Sequence, residues 1–270
     1  MRRFLVDLLL LCSLLAPAFS ARAAAFPDRL LFQPLLADPR WPRFSGTMQR
    51  NFRRDENLLW AANFGESFPL FGGDDSQFGL QMGVFSRWDV KTQSDDMVNA
   101  DFLMGFPYSW RNGRFTTMFR IFHVSSHLGD EYMLSHPGVD RLNLSFEAAD
   151  LRTSYDAGGG FRVYGGGGYL FRRYPTDLKP GTLQAGAEYA RAEPVIFHLA
   201  PVAALDLQKR QDNGWGMTDV SVRAGFQVTH AALKSRRLLL LLEYYRGHDF
   251  NGQWFRRYLE SCGAGVHVFF

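Results

Sequence analysis

The sequence predicts an all-β chain closed into an antiparallel, up-and-down transmembrane β-barrel of about twelve strands. Three observations carry that prediction. The 270 residues include 25 Phe, 10 Tyr, 6 Trp and 26 Gly, yet the mean hydropathy is only -0.18; that balance suits alternating strands better than helices. The alternating segments run about 10 to 15 residues, nearer the length a tilted membrane strand needs than that of an ordinary sheet strand. Their connections switch between tight turns and long polar loops, the asymmetry expected between the two rims of a membrane barrel.

The chain opens on Met1-Arg2-Arg3, continues with an apolar stretch from Phe4 to Leu15 broken by Asp7, and reaches Ala21-Arg22-Ala23. This is the pattern of an export signal over residues 1–23, cleaved after Ala23. Its apolar stretch, about 12 residues, falls short of the roughly 20 a spanning helix requires. Cys12 follows Leu11, which is bulky where a lipoprotein signal needs a small residue. A periplasmic segment is expected over 24–43 and the barrel over 44–270. The formal charge is +3, and loss of the signal would leave about +1, too weak a balance for a nucleic-acid partner. The mature chain would keep one cysteine, Cys262, so neither a disulfide framework nor a cysteine metal site is available.

Strands are expected at 44–54 (ahead of Asp55-Glu56), 57–71, 77–88, 98–110, 114–127, 139–155, 161–173, 181–192, 195–207, 216–228, 236–247 and 256–270. Each has two chemically distinct faces, as period-two side chains require. Arg141, Asn143, Ser145 and Glu147 oppose Leu142, Leu144, Phe146 and Ala148. Asp219, Ser221, Arg223 and Gln227 oppose Val220, Val222, Ala224 and Phe226, and Gln184 and Glu188 oppose Leu183, Ala185 and Tyr189. On this reading Arg141, Asn143, Glu147, Gln184, Glu188, Asp219, Arg223 and Gln227 line the lumen. Asn112-Gly113, 156–160 and 192–194 read as tight turns; the run from Gly165 to Gly168 reads as strand between aromatic flanks. Since lipid leaves no backbone group unpaired, an exported chain without apolar helices spans only as a closed barrel. The bacterial outer membrane is therefore the expected location and its lipids the expected surroundings. The last strand ends at Phe270 in the manner of a signal for the barrel-assembly machinery.

Four stretches are distinctive: Leu35-Leu36-Ala37-Asp38-Pro39-Arg40-Trp41-Pro42-Arg43, His123-Val124-Ser125-Ser126-His127-Leu128-Gly129-Asp130-Glu131-Tyr132, Arg141-Leu142-Asn143-Leu144-Ser145 and Asn251-Gly252-Gln253-Trp254-Phe255. Together they resemble the exported bacterial family named domain of unknown function 1207. The resemblance implies an outer-membrane barrel and supplies no reaction.

Function must then come from the residues. His123 and Ser125 stand two apart on one strand face, where an imidazole can activate a hydroxyl. A His-x-Ser on a barrel strand resembles the arrangement in outer-membrane phospholipase A and the outer-membrane lipid A deacylase. That resemblance implies a serine nucleophile, a histidine base, and an Asn or Glu that orients the imidazole. Asn143 is taken as the third member, with Glu131 and Glu147 as further candidates by type. Phe119 and Ile121 share parity with His123 and suggest the lipid side, although a bulge would reverse this. The leading reading is a barrel of unassigned activity with a polar site at its external rim, His127, Asp130, Glu131, Arg141 and Glu147 being its binding residues, and the hydrolase is the alternative. On the plainest reading His123, Ser125, Ser126 and His127 only form a polar rim hydrogen-bonded to Arg141 and Asn143. Asp130, Glu131 and Asp140 offer oxygen ligands of the kind calcium takes, but they lack EF-hand spacing and solvated loop acids are the commoner explanation. The non-enzymatic reading is a narrow channel for small polar solutes.

Overall fold

The computed structural model describes residues 24–52, 58–233 and 236–270. The expected export signal, Asp55-Glu56 and the last part of the first expected strand lie outside the described residues. A two-residue strand β1 (Ala24–Ala25) precedes twelve long ones: β2 (Phe44–Asn51), β3 (Leu58–Gly72), β4 (Ser76–Asp89), β5 (Asp96–Asn112), β6 (Phe115–Leu128), β7 (Leu144–Gly158), β8 (Phe161–Tyr174), β9 (Gly181–Ala190), β10 (Leu199–Arg210), β11 (Thr218–Val228), β12 (Arg237–His248) and β13 (Tyr258–Phe269). Each long strand pairs antiparallel with its neighbours in sequence, and β13 pairs with β2 from Val268↔Phe44 to Ser261↔Asn51. The sheet is therefore a closed twelve-stranded barrel, and β1 adds to β3 at Gly72 and Phe71. The expected strand order, number and spacing hold. No helix among the described residues is long and apolar enough to cross a membrane.

Ala24 and Phe270, the ends of the described chain, lie on the rim with the shorter connections, as at 73–75, 113–114 and 159–160; the other rim carries 129–143, 211–217 and 249–257. By that asymmetry the first rim is periplasmic and the second external. The turn expected at 192–194 widens to 191–198, where Val195 N–H donates to the Leu199 carbonyl and β10 starts four residues late. The Gly165–Gly168 run is strand, as expected. A Cβ on Gly166 would sit 2.1 Å from the Leu151 carbonyl oxygen, so close pairing of β7 and β8 requires glycine there.

The outer face is apolar. Phe64, Met82, Phe102, Met104, Phe161, Phe171, Phe226, Leu242 and Val266 are all exposed. Aromatic pairs mark the periplasmic rim: Phe115–Tyr155 at 4.8 Å, Phe161–Tyr189 at 4.7 Å and Phe44–Phe270 at 5.3 Å. Trp60 faces Trp88 near the external one. These are the girdles of a bilayer-spanning barrel. A closed wall of this kind resists dodecyl sulfate until heated, so boiled and unboiled samples should migrate differently on gels. Identical migration would contradict closure.

Residues 26–43, expected as a periplasmic lead-in, instead run inside the barrel. Phe32, Leu35, Leu36, Ala37 and Trp41 are buried and form one cluster with the inward residues Met118, Tyr164, Val202, Ala204, Leu239 and Leu241. The reason is chemical. A short apolar run with no partner in the periplasm finds one in the lumen, where strand side chains meet its backbone. Leu36 N–H donates to Glu188 Oε1 at 2.6 Å, the Arg223 guanidinium donates to the Leu36 carbonyl at 2.6 Å, and Arg162 donates to the Gln33 carbonyl at 2.9 Å. Arg40 pairs with Asp101 at 2.5 Å. From the external side, loop 249–257 folds into the mouth. Arg87 pairs with Asp249 at 3.2 Å, and Gly252 N–H donates to Asp101 at 2.8 Å. Two of the distinctive stretches are thus an internal plug and an inward-folded loop.

Candidate active site on the lipid-facing wall

Strand β6 alternates without interruption. Met118, Arg120, Val124, Ser126 and Leu128 are buried toward the lumen, and the pairing with β5 and β7 shows no bulge along its length. Phe119, Ile121, His123 and Ser125 therefore face outward together. On β7 the buried residues are Leu144, Ala148, Asp150 and Ser154, so Ser145 and Glu147 face outward. The lumenal assignment of Glu147 is corrected here, and that of Arg141 and Asn143 with it. The polar members of 141–147 read as lumenal because lumens are usually the polar side. In the external third of β6 and β7 the polarity is reversed: Phe122, Val124, Leu144 and Phe146 point inward and pack with Phe85, Leu103 and Leu170, while the polar residues point outward. Gln184, Glu188, Asp219, Arg223 and Gln227 do face the lumen.

Register brings the outward residues together. His123 is paired with Glu147, and Ser125 with Ser145. The His123 Nδ1 lies 3.3 Å from Glu147 Oε1. Their side chains keep 41% and 16% of their free exposure, so the imidazole is open and the carboxylate half-sheltered. A bulge between β7 and β8 at Glu147/Ala148 sets Arg172 opposite Glu147, its guanidinium 3.5 Å from the same oxygen and 81% exposed. If Nδ1 carries the proton toward the carboxylate, Nε2 is the ring's free acceptor. Ser125 lies on the same face two residues along.

The other expected site residues spread outward from this centre. Asn143 precedes β7 and lies exposed beyond the last β6–β7 pair, Ser126↔Leu144. The residue against His123 is Glu147. The Arg141 guanidinium lies 3.1 Å from His127 Nδ1, and the His127 ring meets Phe102 edge-on at 5.7 Å. Asp130 and Glu131 sit exposed in the first turn of a short helix α1 (Asp130–Ser135) that the sequence did not announce. That helix is anchored by Tyr132 against Trp254 at 5.9 Å. Gly129 allows the approach, since a Cβ there would meet the Met97 carbonyl at 1.6 Å. Among the described residues no group of three His, Cys, Asp or Glu could hold a metal ion. Reading by residue type missed Arg172; its signal, Arg172-Arg173 just ahead of a loop on an otherwise aromatic strand, was present.

The chain matches the family model described as a protein of unknown function, DUF1207, over residues 16–270. No curated protein matches it. Among solved structures it is similar to the outer membrane phospholipase of Salmonella typhi, a dimer with bound calcium, at a TM-score of 0.62 and 13% identity, covering 90% of this chain and 94% of that one. It is also similar to outer membrane phospholipase A of Escherichia coli, at 0.60 and 13%, covering 84% and 91%. Identity so low supports a shared barrel architecture and nothing finer.

Proposed function

We propose, for a chain that belongs to the DUF1207 family, an envelope-lipid ester hydrolase that works from the outer wall of a barrel in the bacterial outer membrane. The observation that carries this reading is the placement of His123, Ser125, Glu147 and Arg172 on the membrane side. Charged groups on a lipid face are unfavourable, by about 2–4 kcal/mol at mid-depth for a basic residue and less near the interface. A barrel with a polar network inside has no structural need for them outside. A lipid ester arrives through the membrane, so its hydrolase needs its chemistry there.

In this mechanism Ser125 Oγ attacks the ester carbonyl carbon while its proton passes to His123 Nε2. Glu147 holds the imidazole through Nδ1 and stabilises its positive charge. The carbon–oxygen bond to the alcohol breaks, and that alkoxide takes the proton from His123. Water, deprotonated by the same imidazole, then cleaves the acyl-serine to free fatty acid and restores Ser125. The similar structures named as phospholipases share the barrel architecture, which can therefore host such a reaction, and supply neither the reaction nor the residues to this chain. Recognition by the assembly machinery would use β13, whose pairing with β2 closes the barrel.

The test is direct. Purified protein in detergent micelles should release fatty acid from a phospholipid or from lipid A, and an alkyl fluorophosphonate should label Ser125. Absence of both would discard the proposal.

A further inference from the structure

The hydrogen-bonded row through His123 continues across the outer wall in both directions. One way it passes Glu147 and Arg172; the other way it passes Met104 of β5, Met82 of β4 and Glu66 of β3. In a tilted barrel such a row is not level with the membrane. Arg172 stands two residues short of its external strand end at Tyr174, and Glu147 three in from Leu144. His123 is five short of Leu128, Met104 eight in from Asp96, and Met82 seven short of Asp89. At about 3.4 Å of strand per residue, the row begins at the external rim and sinks into the apolar zone.

A groove of about 440 Å³ follows the sinking half. Met104 and Met82 form its floor, Phe64 and Phe102 its external bank, and Phe68 stands on the periplasmic side. Thioether side chains adapt to an irregular aliphatic guest. His123 lines one end. Toward the other end stand Phe44 and Glu66; Glu66 faces outward by its place in β3 yet is buried. Its carboxylate accepts from the Ser67 and Phe270 N–H groups, each at 2.9 Å. From His123 to Glu66 the groove crosses three interstrand steps, about 14 Å.

We infer that this groove is the acyl-chain slot of the substrate, with the anionic headgroup at Arg172, the ester carbonyl at Ser125 and the reach of the groove from His123 to Glu66 setting the preferred chain length. The inference rests on the hydrolase reading and adds to it a lipid with one long, unbranched acyl chain. Arg172 stands at the rim, and between His123 and Glu66 the groove is lined by the thioether and phenyl side chains of Met104, Met82, Phe64 and Phe102.

The experiment measures kcat/KM on nitrophenyl esters from butanoate to hexadecanoate, for wild type, Met82→Trp/Met104→Trp and Phe226→Trp on a remote part of the outer wall. Wild type should gain up to about fourfold per added methylene. The double variant should lower the hexadecanoate-to-butanoate ratio by at least about tenfold, the effect of roughly two methylenes excluded, while Phe226→Trp leaves the ratio unchanged. If the double variant lacks a heat-modifiable band, Met104→Phe makes the same comparison with a smaller filling. An equal fall at every length, an unchanged ratio, or the same loss in Phe226→Trp would overturn the slot while leaving the hydrolase reading in place. Wild type that turns over no ester and leaves Ser125 unlabelled would overturn both.

Discussion

Ser125→Ala should lower ester turnover by at least about 10³-fold, and His123→Ala by a similar factor. Nucleophile and base act as one unit, so removing either removes most of what the pair supplies. Glu147→Ala should cost about 10²–10⁴-fold, within the range of a supporting acid–base group. The carboxylate touches no reacting atom; it fixes the imidazole from 3.3 Å away. Glu147→Gln keeps a hydrogen-bond acceptor but not the charge and should recover part of that loss, which distinguishes positioning from mere folding support. Asn143→Ala should leave turnover near wild type, because Asn143 lies beyond the strand pairing that sets His123 against Glu147. Arg172→Ala should raise KM for a phosphate-bearing lipid more than it lowers kcat, since its exposed guanidinium can meet a headgroup but not the scissile carbonyl. Rates measured on one phospholipid in mixed micelles check the whole series. If Glu147→Ala matched wild type while Asn143→Ala did not, the assignment of the third member would be reversed.

Strand count was legible because it depends on period two, which survives in the sequence wherever one face meets lipid; the facing of His123 was suggested by the same period but stayed open, since a single bulge would reverse it. Phe119 and Ile121 carried the parity of β6, and the absence of a bulge let it extend to Ser125. The parity of β7 was legible too, but its sign was not. The reading assumed a polar lumen, whereas Leu144 and Ala148 join an apolar lumenal patch with Leu170 and Phe255. Which residue stands beside His123 depends on the register between β6 and β7. The connection 129–143 leaves that register free in the sequence, so Asn143, Glu131 and Glu147 could not be ranked. The plug was hidden for a different reason. Leu35-Leu36-Ala37 shows no period, and its partners are single inward residues from strands far apart in the chain, such as Glu188 and Arg223.

Trp41→Ala should destabilise the folded barrel by about 3–5 kcal/mol, the usual cost of emptying a large aromatic site in a packed core. Trp41 is among the most completely buried large side chains of the described residues. It stacks on Phe32 at 5.8 Å, and the Arg120 guanidinium lies 6.0 Å over its ring. Arg120 in turn pairs with Asp150 at 2.5 Å, and Arg43 donates to the Trp41 carbonyl at 2.9 Å. The ring thus sits where the plug, the wall and the charged network meet, and little around it can collapse into the space it leaves. The loss should appear as a lower urea midpoint for refolded protein and a lower temperature for conversion of the fast-migrating gel band. A cavity of about 550 Å³ remains in the lumen between Arg40, Arg120, Gln184 and Arg210, but residues 26–43 cross the barrel beside it, which argues against an open channel: in planar bilayers the wild-type protein should show no discrete conductance steps. Steady stepwise currents from wild type, or a Trp41→Ala protein as stable as the parent, would mean that residues 26–43 do not occupy the barrel in the membrane.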